Sequence, residues 1–175
     1  MALPNINDIV TYGTSGVCEV TEIKEMDLMG NISEYFVLKP ISDNKSTVFL
    51  PADNAELMER VRPVLTAKEV HSFIDSIEDV SGIWIDNDAM RKRRYSEILG
   101  SGEREEVMGV IKTLYALKME REALGKKLRS SDEAFLKDAQ KQLFGEFAYV
   151  LGIPSEEIAA FVMERLECGL LSDNE

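Results

Sequence analysis

The sequence is poor in the residues from which reactive sites are most often built. It has one histidine, His71, and two cysteines, Cys18 and Cys168, near opposite ends of 175 residues. A histidine-based metal cluster is therefore excluded. The cysteines form no metal-spaced pair and fit two half-buried thiols of a reducing compartment. No P-loop, dinucleotide fingerprint or nucleophile elbow is present. Gly13-Thr14-Ser15-Gly16 resembles a phosphate loop only superficially, since it joins two strands and no helix follows. Long apolar runs are missing too: nothing approaches the roughly 20 residues of a membrane helix. Met1-Ala2-Leu3-Pro4-Asn5 lacks the basic region and apolar core of a signal peptide, so a cytoplasmic protein is expected. Carboxylates are plentiful, yet spacing pairs no two of them into an acid/base site. No enzyme, metal, cofactor or small-molecule substrate is expected; a hydrolase with an unmarked carboxylate site is the catalytic alternative.

What the chain does carry is charge: 30% of its residues are Asp, Glu, Lys or Arg, and the formal net charge is −12. The distribution is uneven. Residues 1–65, 66–90 and 142–175 carry net −5, −5 and −6, whereas residues 91–141 carry +4. A uniformly acidic protein is repelled by DNA; a segregated one can bind through one face and keep low non-specific affinity. The stretch Ser81–Gly102 concentrates this contrast. It holds the sole tryptophan, Trp84, and the only run of four basic residues, Arg91, Lys92, Arg93 and Arg94, closed by Tyr95. Two readings stay open: a helix start aimed at nucleic acid, or a solvated Arg-rich turn packed on a structural tryptophan.

The predicted fold class is α+β, a small SH3- or Tudor-like β barrel followed by an all-α helical bundle. Asp8–Tyr12, Val17–Ile23, Glu34–Lys39 and Ser46–Leu50 read as short strands separated by turn signals. Ile23 is out of phase with Cys18 and Val20, which suggests a bulge. Met26 to Asn31 reads as a connecting loop with Gly30-Asn31 as its turn. Arg60–Val64 reads as the segment that closes the barrel. Alternation along the fourth strand turns Val48 and Leu50 inward and Thr47 and Phe49 outward. Phe49 is then either a docking contact or covered by the loop that carries Met26.

Beyond this module the pattern becomes helical. Thr66-Ala67-Lys68-Glu69 is a capping box for a helix with Val70, Phe73, Ile74 and Ile77 on one face. Asp86, Asn87 and Asp88 are candidate N-caps for a helix with Met90, Tyr95, Ile98 and Leu99 inward. Glu103–Leu124, a helix capped by Ser130–Glu133 and ended by Gly152, and a last helix with Ile158, Phe161, Val162 and Leu166 inward complete a bundle. Leu170–Glu175 reads as a fraying acidic tail. The expected division is residues 1–65 and 66–175.

The order of signatures resembles the CarD/CdnL family of bacterial transcription regulators, in particular its clostridial-type branch. The pieces are Asp8–Gly13 with Gly16-Val17-Cys18, Glu34–Leu38, Val48–Pro51, Arg62-Pro63-Val64, Trp84-Ile85, Arg93–Leu99 with Ser101-Gly102, Leu128 with Ser130–Glu133, and Leu143–Ala148 with Leu151-Gly152. The resemblance implies a Tudor-like RNA polymerase interaction domain, as in transcription-repair coupling factor, that docks on the β subunit. Met26, Thr47 and Phe49 are the expected polymerase contacts. It further implies a helical domain that meets promoter DNA at the upstream edge of the bubble. There an aromatic, typically Trp, props the fork and stabilises the open complex. Trp84, Arg91, Lys92, Arg93, Arg94 and Tyr95 are the expected DNA contacts. Two departures stand out. Gly13-Thr14-Ser15 occupy a place where many members have Pro and His, and Trp84 lies four residues before the usual offset, which Asp88 occupies. The rival reading from another class of partner is a polymerase-bound adaptor whose acidic helical domain recruits a protein and leaves DNA alone.

Overall fold

The computed structural model describes residues 3–172, with side chains through Gly169. Five strands come first: β1 (Ile9–Tyr12), β2 (Val17–Leu28), β3 (Asn31–Pro40), β4 (Val48–Pro51) and β5 (Val61–Pro63). Between β4 and β5 lies the one-turn helix α1 (Ala55–Met58). Then follow α2 (Ala67–Asp75), α3 (Asp88–Ser101), α4 (Arg104–Ala123), α5 (Ser130–Leu151) and α6 (Ser155–Ser172). The expected tail thus stays helical through Ser172, and its residues 173–175 lie outside those described. No described helix is long and apolar enough to cross a membrane.

The sheet is antiparallel and open, in the order β4-β3-β2-β1-β5. This corrects the barrel expectation, because β4 and β5 form its two edges. Closure would require them to pair. The chain between them instead folds into α1, whose Leu57 and Met58 pack on the sheet's core. Proline ends both edge strands, removing a ladder donor there. The β2–β3 ladder slips between Val20 and Glu22, so Thr21 is the bulged residue that puts Ile23 back into phase with the core. The expected loop at residues 26–31 is shorter than its composition suggests. β2 and β3 run on to Leu28 and Asn31, and only Met29 (φ 58) and Gly30 (φ 86) make the turn. Both central residues have positive φ, as a tight hairpin requires, and Asp27 Oδ1 accepts the Gly30 N–H at 2.9 Å.

Apolar burial divides into two clusters. Val10, Cys18, Val20, Phe36, Leu38, Leu50 and Val61 fill one side of the sheet. The other cluster runs from Val70 on α2 to Leu166 on α6, with Ile98, Met108, Ile111, Leu114 and Phe147 among its fully buried members. Each such side chain contributes roughly 1.5–3 kcal/mol by leaving water. The Thr66 capping box forms as expected: Thr66 Oγ1 accepts from Glu69 N, and Glu69 Oε2 accepts from Thr66 N. The expected box at Ser130 does not. Arg129 is the N-cap residue without a side-chain bond, and Asp132 turns inward to meet a buried arginine. On α6, Ile158, Val162 and Leu166 are buried, but Phe161 is half exposed rather than inward.

The two modules meet along a polar seam. Glu146, buried on α5, accepts from Arg104 Nε and Nη2 at 2.8 and 2.7 Å and from Leu65 N at 3.0 Å. Arg104 also donates to Pro63 O, and Arg62 reaches Ser101 O and Glu103. Gly13 lies against the C-terminal end of α3. A Cβ there, at φ +43, would stand 2.9 Å from the carbonyl oxygen of Gly100. Gly13 therefore has a local cause: two backbones approach too closely there for a side chain.

Candidate functional site

Two surfaces gather the residues singled out by the sequence. The first is the outer face of the sheet. Register places Val37 opposite both Glu22 and Phe49, and Met26 opposite Ser33. Directly opposed residues share a face, and alternation carries that face along β2 through Glu22, Lys24, Met26 and Leu28. Phe49 and Met26 therefore lie on one side, away from the apolar core, and Thr47 precedes β4 in the same phase. Phe49 is 47% exposed. The Lys24 ammonium stands 5.6 Å from its ring centroid. The residues expected to form a loop over Phe49 continue β2 instead, so they do not cover it.

The second surface is the corner where the segment 81–87 enters α3. Asn87 caps the helix, its Oδ1 accepting from Met90 N at 3.0 Å, and Gly102, at φ 72, ends it. The inward stripe is Arg91, Tyr95, Ile98 and Leu99, spaced i, i+4, i+7 and i+8. Tyr95, Ile98 and Leu99 face inward as expected, and the expectation for Met90 is corrected. Met90, expected inward, is exposed at 53%. Arg91 and Tyr95, expected as DNA contacts, are 2% and 0% exposed and present no side chain to the outside. The physical reason lies 41 residues away. Asp132, 1% exposed on α5, offers Arg91 a buried counter-charge, with Nε and Nη2 both 3.5 Å from its Oδ1. Ile85 O accepts from Arg91 Nη1 at 3.0 Å, and Asp88 Oδ1 accepts from Nη2 at 2.7 Å. A buried charge is tolerated only with such pairing. Tyr95 donates its hydroxyl to Ile83 O at 2.7 Å and packs edge-on against Phe135. Burial pushes its phenol up to about 12.

Trp84 sits between these two anchors, 47% exposed. Its ring centroid is 4.4 Å from the Arg91 guanidinium carbon, and its Nε1 donates to Asp86 Oδ1 at 2.9 Å. The backbone on either side is fixed: Ile83 N donates to Thr113 Oγ1 at 2.7 Å. Gly109 lets the segment lie directly on α4, since a Cβ there would stand 2.6 Å from Ser81 O. Trp84 is thus neither a core residue nor a free surface ring.

Lys92 and Arg93 are exposed, with side chains 45% and 75% accessible. Arg94 is tied to Glu106 at 2.5 Å. Asp88 is the hub of the corner, meeting Arg91, Lys92 at 2.8 Å and Arg129 at 3.6 Å. The hydrogen bond from Lys92, helped by the charges of Lys92, Arg91 and Arg129, holds its carboxyl below the usual range. Through Arg129 the α4–α5 connection, which also carries exposed Lys126 and Lys127, meets Asp88 at the start of α3.

Residues 5–64 match the family model described as CarD-like/TRCF RID domain, and residues 77–163 match the one described as CarD, C-terminal domain. A sheet module of the first kind followed by a helical module of the second defines the class. The chain belongs to the CarD-like family, which is of transcription-factor type. One curated relative is the Bacillus subtilis (strain 168) protein named "Putative transcription factor YdeB". It is 26% identical over 163 residues, covering 89% of this chain and 97% of that protein.

Proposed function

We propose that this protein is a non-catalytic, cytoplasmic transcription regulator that bridges the RNA polymerase β subunit and promoter DNA and stabilises the open promoter complex. Residues 1–65 act as the polymerase-binding unit and residues 66–175 as the DNA-facing unit. The observation that carries the reading is the α3 corner. A half-exposed tryptophan lies on a buried arginine, and the same helix start carries exposed Lys92 and Arg93, with Arg129 reaching its Asp88. A ring with one open face can stack on an unpaired base, and such stacking is available only once the duplex has opened. On the sheet, the outward Phe49 and Met26 beside the edge strand β4 fit docking by strand addition, where backbone pairing gives affinity and alternate side chains give specificity.

The test separates this reading from the adaptor that leaves DNA untouched. Reversing all four basic residues would bury two unpaired negative charges at Arg91 and Asp132, so only Lys92 and Arg93 are changed, both to Glu. That variant should retain polymerase in a pull-down and lose open-complex lifetime. Phe49→Asp should lose the pull-down while its α-helical circular dichroism stays native. A Lys92→Glu/Arg93→Glu variant with unchanged open-complex lifetime would favour the adaptor. Unchanged pull-down with Phe49→Asp would remove the outer sheet face from the docking site.

A further inference from the structure

We propose that Arg91 is a positioning residue: its guanidinium is the platform that holds the Trp84 ring in one orientation, leaving the opposite face free for a nucleobase. This rests on the reading of Trp84 as the fork contact. Arg91 is the most basic kind of side chain, in a basic run, yet it is withdrawn from any phosphate: it is 2% exposed. All its polar contacts are internal, to Asp132, Asp88 and Ile85 O. A structural ion pair would need only the carboxylates. The contact to Ile85 O adds something else, because it fixes the backbone next to Trp84, while the same guanidinium lies 4.4 Å from the ring centroid.

Tyr95 performs the matching task one residue earlier, holding Ile83 O at 2.7 Å. The two residues expected as DNA contacts thus grip the residues on either side of Trp84, Ile83 and Ile85. The planar guanidinium can stack and donate from its edge at once, which an ammonium cannot. A stack on a desolvated cation also resists rotation of the ring better than a contact with water. The ring is therefore ordered before DNA arrives, so less rotamer freedom is lost on stacking.

Trp84 is the only tryptophan, so its emission reports this contact without interference. Arg91→Met alone would orphan the buried Asp132, so the informative variant is Arg91→Met with Asp132→Leu. It removes both buried charges together, and replacing a buried ion pair by apolar residues of similar volume is often neutral. In the free protein, acrylamide quenching of Trp84 should rise about two-fold as the second ring face opens. With polymerase and promoter, the open-complex half-life should fall about five-fold, near the value for Trp84→Ala, the loss expected from one weakened base stack. Should the double variant fail to melt cooperatively, Arg91→Lys is read by the same two measurements, since it retains the charge pair and loses the plane. Unchanged quenching in a folded variant overturns the proposal. So does increased quenching with a native half-life while Trp84→Ala shortens it. If Trp84→Ala itself leaves the half-life native, the fork reading falls, and quenching alone decides whether Arg91 holds the ring.

Discussion

At the scale of single residues, burial divides the side chains that the sequence singled out around Trp84. Four consecutive basic side chains give no sign of which one turns inward. That choice is made by Asp132, which no local pattern links to Arg91. Trp84 is a similar case: alternation with Ile83 and Ile85 and a helix just beyond made burial possible, while the resemblance implied a ring presented to DNA. The half-exposed outcome depends on Thr113 and Gly109 of another helix. Cys18 was expected to be half-buried and is fully buried, which has a consequence for pH. Burial pushes Cys18 from its ordinary 9.0 to about 11, and Tyr95 from 10.0 to about 12. Both groups are acids kept neutral in the folded chain. Below pH 9 neither ionises in either state, so their contribution to stability is fully present. As pH rises, the unfolded chain ionises first and gains free energy, and the contribution is lost until the folded groups also ionise. The melting temperature should therefore be flat from pH 7 to about 9 and fall steadily to about 12. Thermal melts across this range check it. The fall should be shallower in Cys18→Ala. A melting temperature that rises between pH 9 and 11 would contradict the burial of both groups.

At the scale of elements, most strands and every long helix were legible, because period-2 and period-3.6 patterns are long-lived signals. The Thr21 bulge was legible as well, from one residue out of phase. What failed were the joints. The hairpin turn was placed one residue late because Gly30-Asn31 is a stronger turn pair than Met29-Gly30, yet Asp27 and the cross-strand register select the latter. Barrel closure was inferred from strand count, which does not fix whether the two edge strands pair. Gly109 is a joint whose meaning can be tested. It interrupts a helix, where Ala is normally better by about 1 kcal/mol. Here a Cβ would meet Ser81 O at 2.6 Å and Ile83 at 3.1 Å, and the first of these is backbone. Overpacking against a fixed neighbour costs about 1–3 kcal/mol, so the steric term should win. Gly109→Ala is expected to lower the melting temperature and, by displacing residues 81–85, to raise acrylamide quenching of Trp84. A more stable variant with native Trp84 quenching would show that the segment is free to move.

At the scale of the whole molecule, the charge segregation seen in the sequence survives, but its active portion shifts. Of the four-residue basic run, Arg91 is internal, Arg94 is partly exposed and held by Glu106, and Lys92 and Arg93 are the most exposed. The α4–α5 connection adds exposed Lys126, Lys127 and Arg129, the last of which reaches Asp88 on α3. Five exposed cations from two elements thus stand on a molecule of formal charge −12. Under the DNA-bridging reading, three to five phosphate contacts would give a log–log salt slope of roughly −3 to −4.5 for the DNA-dependent part of complex stability. Free DNA should bind weakly, since the acidic remainder opposes long-range approach, and the polymerase must supply the local concentration. Changing Lys126 and Lys127 to Glu makes this specific to the second element. Both are exposed and outside the buried Arg91 pair, so melting should stay native. The salt slope should become shallower by about two if both lysines meet phosphates. Open-complex half-lives measured between 50 and 200 mM salt, for the native chain and this variant, provide the comparison. A slope that is flat in the native chain would remove the electrostatic role of the corner altogether. An unchanged steep slope in the variant would confine that role to Lys92, Arg93 and Arg129.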